Sequence, residues 1–341
     1  MHKLVLIQVL RAFAVLAVVL FHLSESSRTE FGFTFIESFS NFGYAGVDLF
    51  FVISGFIIFY TSSKYLENKK PFQFLLKRLL RLYPVYWIVF GGLFSAALLL
   101  GDSSSMSASF QMGDLPGSLS LWFGHEMING VSWSLSYELF FYVLFFLVLL
   151  NRKFILIGIA VLCLAIVNLF FAPTWLTEGV LQYLTNPFLI EFAFGVLAGY
   201  LVKQKIGGVY IGVLGLVLLF AGGILYDHQI SRIFLYGITS FLIVLGFSSW
   251  ESKSKHTFKF LRLPTLIGDA SYSMYLIHLP LLRIAHKMTA GQVNSEWASY
   301  LFNILIILLI IGVSIGFYLL IEKPLIKYLN GRLAGSKKQL K

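Results

Sequence analysis

The sequence predicts an all-α polytopic integral membrane protein with about ten transmembrane helices and both termini in the cytoplasm. Hydrophobic residues make up 58% of the 341 positions and charged residues only 12%, about half the share found in soluble domains. Apolar runs of roughly 17–25 residues, long enough to cross a bilayer, recur along the whole chain. The single cysteine, Cys163, lies inside one of these runs, which excludes a disulfide framework and a thiolate metal site.

The apolar runs predict the transmembrane helices in order. They cover residues near 4–24, 42–60, 82–101, 132–150, 154–171, 183–202, 207–226, 232–249, 266–285 and 298–321. No small-residue cleavage site follows the first run, so we expect a retained helix rather than a signal peptide. The breaks between runs have the length of loops. We therefore expect a single transmembrane domain over residues 1–330 and a short basic cytoplasmic tail over residues 331–341.

The basic residues predict how these helices are oriented. Lysines and arginines gather in loops that face the cytoplasm, and a cytoplasmic N-terminus places most of the 26 basic residues in such loops. The exceptions are Arg11, Arg28, Arg232, Arg283 and Lys287. The net charge of +10 therefore reflects membrane topology, and we expect no nucleic-acid partner.

Two polar side chains interrupt the first apolar run at "LRAFAVLAVVLFHLS", residues 10–24. An arginine at the centre of a membrane helix costs about 2.5–3.5 kcal/mol on insertion scales, so Arg11 needs a role. Arg11 and His22 share nearly the same helix face, about 16 Å apart along the axis. In the predicted orientation, Arg11 lies in the cytoplasmic half and His22 near the outer surface. The alternatives are a snorkelling arginine and an interfacial histidine without a role.

Four carboxylates also fall within apolar runs, and the last of them is followed by a histidine, His278. Buried carboxylates at membrane depth are paired, protonated or directed into a wet cavity. Because Arg11 is the one strong cation inside the predicted spans, we expect some carboxylates to accept hydrogen bonds from hydroxyl, indole or backbone donors around a polar cavity. The four carboxylates are Asp48, Glu138, Glu191 and Asp269.

Each of these carboxylates also has a structural interpretation. Glu138 either serves a site or forms a hydrogen bond with Ser134 or Tyr142, one turn away on either side. Asp48 either serves a site or caps its helix. For the other two carboxylates, the structural interpretation is the stronger one.

A basic cluster stands at the start of the third span, in "FQFLLKRLLRLYPVYWI". Arg78 and Arg81 lie three residues apart, on one helical face, next to Lys77. Basic residues at an inner membrane interface are routine. The alternative is an anionic ligand, because guanidinium groups bind phosphate in a bidentate manner. Lys69 and Lys70 would add positive charge at this face.

The order of several motifs resembles the membrane acyltransferase type 3 family, within it the exopolysaccharide O-acetyltransferase-like branch. The resemblance covers residues 7–328 and rests on Arg11 through His22, followed by "GVDLFFVISGF", "FLLKRLLRLYPVYW", "WSLSYELFFYVLF", "ASYSMYLIHLPLL" and "IEKPL". It implies transfer of an acyl group, usually acetyl, from cytoplasmic acetyl-CoA to a hydroxyl of an extracytoplasmic or lipid-linked polysaccharide sugar. It also implies a bacterial cytoplasmic (inner) membrane location, a polysaccharide synthesis machinery as partner, and neither a metal nor a permanently bound cofactor.

The resemblance assigns roles to particular residues. It places the catalytic groups at Arg11, His22, Asp48 and Glu138, and the donor-binding groups at Arg11, Ser54, Lys77, Arg78, Arg81, Tyr83 and Trp133. One departure concerns the acidic motif: many relatives have two consecutive acidic or amide residues, whereas Tyr137-Glu138-Leu139 leaves one carboxylate.

The chemistry at His22 stays open between two routes. A neutral imidazole can take the proton of the sugar hydroxyl, or it can carry the acyl group covalently. A different function, a proton-coupled transporter or flippase of a glycan or acyl-carrier substrate, would also use intramembrane ionisable groups. The sequence lacks the inverted repeat and paired broken helices typical of such transporters.

Overall fold

The computed structural model describes residues 4–33, 42–67, 70–100, 107, 109–225, 232–254, 259–289 and 292–335. Within these residues the regular secondary structure is helical, and the longer helices follow one another through the chain. They are α1 Val5–Phe31, α2 Ala45–Glu67, α3 Pro71–Leu100, α4 Trp133–Leu150, α5 Ile155–Phe171, α6 Phe188–Lys203, α7 Val209–Leu225, α8 Ile238–Lys253, α9 Arg262–Asp269, α10 Ser271–Thr289, α11 Glu296–Phe317 and α12 Lys323–Gly335.

The all-α polytopic membrane fold is confirmed. Eight helical stretches of the described chain are long and apolar enough to span a bilayer, and Val209–Gly223 is a shorter apolar helix. The eight are Val5–Phe31, Ala45–Ser62, Pro71–Leu99, Gly130–Leu150, Arg152–Phe171, Leu181–Lys203, Ile233–Lys253 and Glu296–Leu333. The remaining predicted run, 266–285, falls on α9 and α10, which are less apolar because they carry Asp269, His278 and Arg283.

Two predicted boundaries are wrong. The third span was expected to begin near residue 82, but α3 begins at Pro71, since proline suits the first position of a helix. Lys77, Arg78 and Arg81 therefore project from a membrane helix rather than from the loop before it. The run 266–285 was expected to be one helix, but α9 ends at Asp269 and α10 begins at Ser271.

Contacts between helix ends show which ends share a face of the bundle. The backbone N–H groups of Val5 and Leu6 donate to the Glu251 carboxylate at 2.6 and 2.8 Å, so α1 begins where α8 ends. A carboxylate at a helix N-terminus also complements the helix dipole. Ser27 Oγ donates to Asn303 Oδ1 at 2.6 Å, so α1 ends where α11 begins. These contacts agree with the alternation of directions that the apolar runs predict.

The close crossing of α2 and α6 explains the glycine in the motif "GVDLFFVISGF". A Cβ atom on Gly55 of α2 would lie 2.1 Å from the carbonyl oxygen of Phe192 in α6, and a Cβ on Gly195 would lie 2.1 Å from that of Val52. Only glycine allows the two backbones to approach so closely. The neighbouring Phe56 is 1% exposed and belongs to the core. This crossing holds the preceding residue, Ser54, against the interior of the bundle.

Candidate active site

A cavity opens inside the bundle where α1, α2, α3, α4 and α10 meet. Apolar side chains of α2 form much of its wall, and polar side chains from all five helices complete it. Of the four carboxylates from which a polar cavity was predicted, Glu138 lines this one. Its polar lining residues are Arg11, Ser54, Arg78, Arg81, Ser134, Glu138, Tyr142, Ser271, Tyr272 and Tyr275.

Three guanidinium groups and one carboxylate give the cavity wall an excess of positive charge. Arg11 is 8% exposed, and its Nη1 donates to Gln8 Oε1 at 3.1 Å. Glu138, the single lining carboxylate, lies within electrostatic reach of Arg11, as does Arg81. Within the described part of the chain, none of the three arginines forms a salt bridge. Buried cations need compensating negative charge, so this wall suits an anionic ligand.

Arg78 is held in place by neighbours that leave its charge uncompensated. Its Nη2 donates to Thr61 Oγ1 at 3.3 Å. Its guanidinium also lies over the rings of Phe74 and Tyr142, 5.6 and 5.7 Å from the two centroids. Aromatic faces attract a cation without neutralising it. Arg78 is therefore positioned at the cavity and keeps its full charge.

Glu138 is anchored from two helices. Its Oε1 accepts a hydrogen bond from Ser54 Oγ at 3.1 Å and another from the Tyr142 hydroxyl, one turn along α4. Tyr142 is one of the two partners that the sequence proposed, but the other, Ser134, turns to α10 instead. The Ser54 contact joins the glycine-containing motif of α2 to the acidic motif of α4. Glu138 is thus both an interhelical partner and a cavity group.

Tyrosine hydroxyl groups of α10 close the remaining side of the cavity. The Tyr275 hydroxyl lies 2.7 Å from Ser134 Oγ and donates to the Val131 carbonyl at 2.7 Å. The Tyr272 hydroxyl donates to the Leu82 carbonyl at 2.7 Å. These contacts tie α10 to α3 and α4, the helices that carry Arg78, Arg81 and Glu138.

His22 lies beyond the cavity, on the helix that carries Arg11. It is partly buried and is not among the residues that line the cavity. Its imidazole ring lies 5.4 Å, centroid to centroid, from the fully buried ring of His278 in α10. Tyr275, which does line the cavity, lies 5.9 Å from the His278 ring. The histidine pair and the cavity are therefore adjacent.

The chain as a whole matches a known family. A sequence profile for the family described as "Acyltransferase domain" matches residues 5–321. The chain belongs to this family of membrane acyltransferases. The match covers every helix that lines the cavity, as well as both histidines of the pair.

Named relatives extend this result. The chain is 28% identical over 330 residues to "Exopolysaccharide production protein ExoZ" of Rhizobium meliloti (strain 1021), covering 91% of this chain and 95% of that protein. It is 25% identical over 374 aligned positions to "Putative O-acetyltransferase SACOL0978" of Staphylococcus aureus (strain COL), covering 95% of this chain. The alignment spans 58% of that longer protein. No solved structure matches the acyltransferase chain.

Asp48 has a partner that the sequence did not suggest. Arg232 Nε and Nη2 donate to its carboxylate at 2.8 and 2.5 Å, and Arg232 Nη2 also donates to the Tyr44 carbonyl at 3.2 Å. Asp48 is fully buried and does not line the cavity. The expectation that Arg11 is the one strong cation among the membrane helices is therefore wrong. Glu191, fully buried, lies beside this pair.

Lys77 stands apart from the other two basic residues of its motif. It is absent from the cavity wall that Arg78 and Arg81 help to form. Lys70 is exposed just before α3, and Lys69 lies outside the described residues. The structure thus gathers two of the five basic residues of this region at the cavity.

Two aromatic residues assigned to donor binding also lie away from the cavity. The Tyr83 hydroxyl donates to the Ser120 carbonyl at 2.8 Å, which ties α3 to the short helix Leu115–Ser120. Trp133 packs against Phe188, with ring centroids 5.5 Å apart, at the start of α4. In this arrangement, both residues support the helices that carry the cavity groups, and their part in donor binding stays a prediction.

Three residues near the site had no assigned role in the sequence. His278 and Tyr275 lie in "ASYSMYLIHLP", and Glu322 lies in "IEKPL". Glu322 is 3% exposed, accepts a hydrogen bond from Ser273 Oγ at 2.5 Å and lies within electrostatic reach of Arg11. Polar residues at helical spacing in an otherwise apolar run were the available signal. Which of them meet in space depends on packing between distant helices.

Proposed function

We propose that this acyltransferase moves an acetyl group from cytoplasmic acetyl-CoA to a hydroxyl of an extracytoplasmic or lipid-linked polysaccharide sugar. The observation that carries the proposal is the cavity wall with three guanidinium groups and one carboxylate, next to a histidine pair on α1 and α10, two of the five helices that line the cavity. The arginine-lined cavity wall suits a polyanionic donor, and the histidine pair suits proton transfer or nucleophilic attack.

The donor binds by its phosphate groups at Arg78 and Arg81. Guanidinium groups bind phosphate in a bidentate manner, and the low-dielectric surroundings strengthen the attraction. The loop charges place the beginning of α3 at the cytoplasmic face, the side from which acetyl-CoA enters. The extended donor then lies along α1, past Arg11, with its thioester towards His22. The axial separation of Arg11 and His22, roughly 16 Å, accommodates a donor in this extended conformation.

His22 carries out the transfer by one of two routes. As a base, it takes the proton of the sugar hydroxyl while the hydroxyl oxygen attacks the thioester carbon. As a carrier, it attacks that carbon first and forms an acyl-imidazole, which the sugar hydroxyl then opens. In both routes the carbon–sulfur bond breaks, the electron pair leaves on the thiolate, and the hydroxyl proton finally resides on sulfur. Arg11 orients the donor or a carboxylate such as Glu138.

The acceptor class rests on the relatives. The name of the Rhizobium meliloti protein refers to exopolysaccharide production, and that of the Staphylococcus aureus protein refers to O-acetyl transfer. The first name supports a polysaccharide as acceptor, and the second supports transfer to a hydroxyl oxygen. A bacterial inner membrane location and a polysaccharide synthesis machinery as partner belong to the same proposal. Acetyl-CoA is a substrate in this scheme, and no resident cofactor or metal takes part.

The proposal is tested with the purified protein in vesicles that contain acceptor polysaccharide. Acetyl-CoA labelled in the acetyl group is supplied on the side of the basic loops, and the label on polysaccharide is measured. We expect transfer by the wild type and none by His22→Ala. His125→Ala is the matched control, because His125 pairs with Asp114 outside the membrane helices. Near-normal transfer by His22→Ala would remove His22 from the mechanism, and label that crosses without attachment to sugar would indicate a transporter.

A further inference from the structure

Two buried histidines of α10 make the same local hydrogen bond. His278 Nδ1 lies 3.1 Å from the Met274 carbonyl oxygen, and His286 Nδ1 lies 2.9 Å from that of Leu282, each four residues earlier. A carbonyl oxygen can only accept, so in both histidines the hydrogen is on Nδ1. In the neutral ring, Nε2 then carries a lone pair and acts as an acceptor.

The Nε2 atoms of both histidines are buried without a hydrogen-bond partner among the described residues. A buried polar atom left unsatisfied costs about 1–3 kcal/mol, so such an atom calls for an explanation. The local sequence offers none, because both histidines occupy the same relation to their own helix. The difference between them lies in what packs against each ring.

Two phenylalanine rings pack against His286, and the Glu30 carboxylate lies within electrostatic reach. The rings of Phe31 and Phe302 each lie 5.1 Å from its ring, centroid to centroid. Neither neighbour offers a hydrogen to Nε2. His286 is therefore a core histidine that joins the end of α1 to the beginning of α11.

His278 lies next to a group that can donate. The ring of His22 lies 5.4 Å away, with the two ring planes inclined by 37°. Neutral His22 has one ring N–H, and this centroid separation is compatible with an N–H···N hydrogen bond between the edges of the two rings. Catalytic hydrogen bonds are often long in the absence of substrate and tighten when it binds.

We propose that His278 is a positioning residue whose Nε2 accepts the ring N–H of His22 and thereby fixes the tautomer and orientation of His22. The other nitrogen of His22 then presents its lone pair to the reacting groups. The inference rests on the proposed function of His22 and deepens it. It holds for both routes, since the base and the carrier each need one protonated ring nitrogen and one with a free lone pair.

The hydrogen bond also stabilises the charge that develops during transfer. When His22 takes the hydroxyl proton, or when its nitrogen bonds to the acyl carbon as the carbon–sulfur bond breaks, its ring becomes positively charged. His278 Nε2 accepts the N–H of that charged ring, and a hydrogen bond from a charged donor is roughly twice as strong as a neutral one. The thiolate leaves with the electron pair, and the hydroxyl proton ends on sulfur.

Four variants in vesicles test the assignment by their kcat and their KM for acetyl-CoA. We expect His278→Ala to lower kcat about 10–100-fold, the loss typical of a partner that orients a functional imidazole, with KM nearly unchanged. His278→Gln should recover much of that loss, because its side-chain carbonyl oxygen can accept the N–H of His22. His286→Ala and His286→Gln are the matched controls and should keep kcat within about twofold, because His286 contacts no reacting group. A His278→Ala enzyme with wild-type kcat, a Gln variant no better than Ala, or an equal loss in His286→Ala would overturn the assignment.

A measurement independent of activity separates this assignment from the proposed function. The ring nitrogens of His22 are observed by ¹⁵N NMR of histidine-labelled protein in lipid, with the His22 signals assigned from their loss in His22→Gln. We expect one neutral tautomer in the wild type and a mixture in His278→Ala, whereas identical spectra would contradict the hydrogen bond. If the wild type shows the single tautomer yet transfers no acetyl group, the proposed function fails and the His22–His278 pair stands.

Discussion

The membrane helices hold two groups of buried charges with opposite designs. In the cavity, Arg11, Arg78 and Arg81 face a single carboxylate, Glu138, and no salt bridge joins these described residues. Around Asp48, by contrast, the carboxylate is matched by the Arg232 guanidinium through two hydrogen-bonding nitrogens. The first group has room and uncompensated charge, which suits a ligand. In the second, the Asp48–Arg232 pair is closed upon itself, which suits a structural role, and the carboxylate oxygens of the neighbouring Glu191 are buried without a hydrogen-bond partner among the described residues.

The surroundings of the two groups reinforce this contrast. The Arg232 guanidinium lies over the rings of Tyr44 and Phe188, 4.6 and 5.1 Å from their centroids, so aromatic rings cover much of it and 28% of the side chain stays exposed. The cavity arginines instead border the open space of the cavity. Buried charge identifies a candidate site only where the charges are left unpaired, because a paired group has nothing to offer a ligand.

The largest expected effect comes from breaking the closed pair. Asp48→Asn removes the carboxylate that binds the partly exposed Arg232 guanidinium, and breaking a buried pair costs up to about 3–5 kcal/mol of unfolding free energy. The measurement is denaturant unfolding in detergent micelles. Glu25→Gln, which breaks the exposed pair of Glu25 with Arg28, is the control and should leave stability nearly unchanged. Loss of acyl transfer with unaltered stability would instead return Asp48 to the catalytic role that the family resemblance assigned.

An intermediate effect is expected from the cavity arginines. Arg78→Ala combined with Arg81→Ala removes charged hydrogen bonds to the donor, each worth about 1.5–3 kcal/mol, so KM for acetyl-CoA should rise at least tenfold. Stability should change less than in Asp48→Asn, because no counter-ion is left unpaired. Steady-state kinetics in vesicles measure the change. Lys77→Ala is the matched control on the same helix, and an unchanged KM in the double variant would place the phosphate groups elsewhere.

The smallest expected effect concerns the anchor of Glu138. Ser54→Ala removes one of its two hydrogen bonds, worth about 0.5–1.5 kcal/mol, while the Tyr142 contact remains. We expect kcat/KM to fall by no more than about tenfold. Ser62→Ala is the control, since Ser62 is a buried serine of α2 that donates to its own helix at the Phe59 carbonyl. A loss in Ser54→Ala as large as that in His22→Ala would mean that Ser54 contacts the substrate.

Much of the fold could be read from local composition. A bilayer demands long apolar segments whose backbone hydrogen bonds are satisfied internally, so the predicted runs fall on helical segments, with 266–285 divided between α9 and α10. The placement of Arg11 and His22 on one face of α1 followed from helical periodicity alone. The beginning of α3 was misplaced because Lys77, Arg78 and Arg81 interrupt the apolar run, although the helix continues through them.

The partners of the buried groups could not be read in this way. Asp48 and Arg232 are separated by 184 positions, and their pairing depends on how α2 packs against the helical turn Ile233–Gly237 that precedes α8. The sequence therefore did not decide that Glu138 faces the cavity or that Asp48 binds Arg232. The packing of the helices decides both. Long-range pairing leaves no periodic signal in the chain.

His278 and His286 show where the two kinds of information divide. The predicted run 266–285 contains His278 and ends just before His286, whereas the structure places both on α10 and gives each the same bond to a carbonyl four residues earlier within that helix. Packing then brings His278 against His22 and His286 against Phe31 and Phe302. The bond from Nδ1 of each histidine is made within its own helix. The packing of distant helices determines whether the ring meets another imidazole, as at His278, or two phenylalanine rings, as at His286.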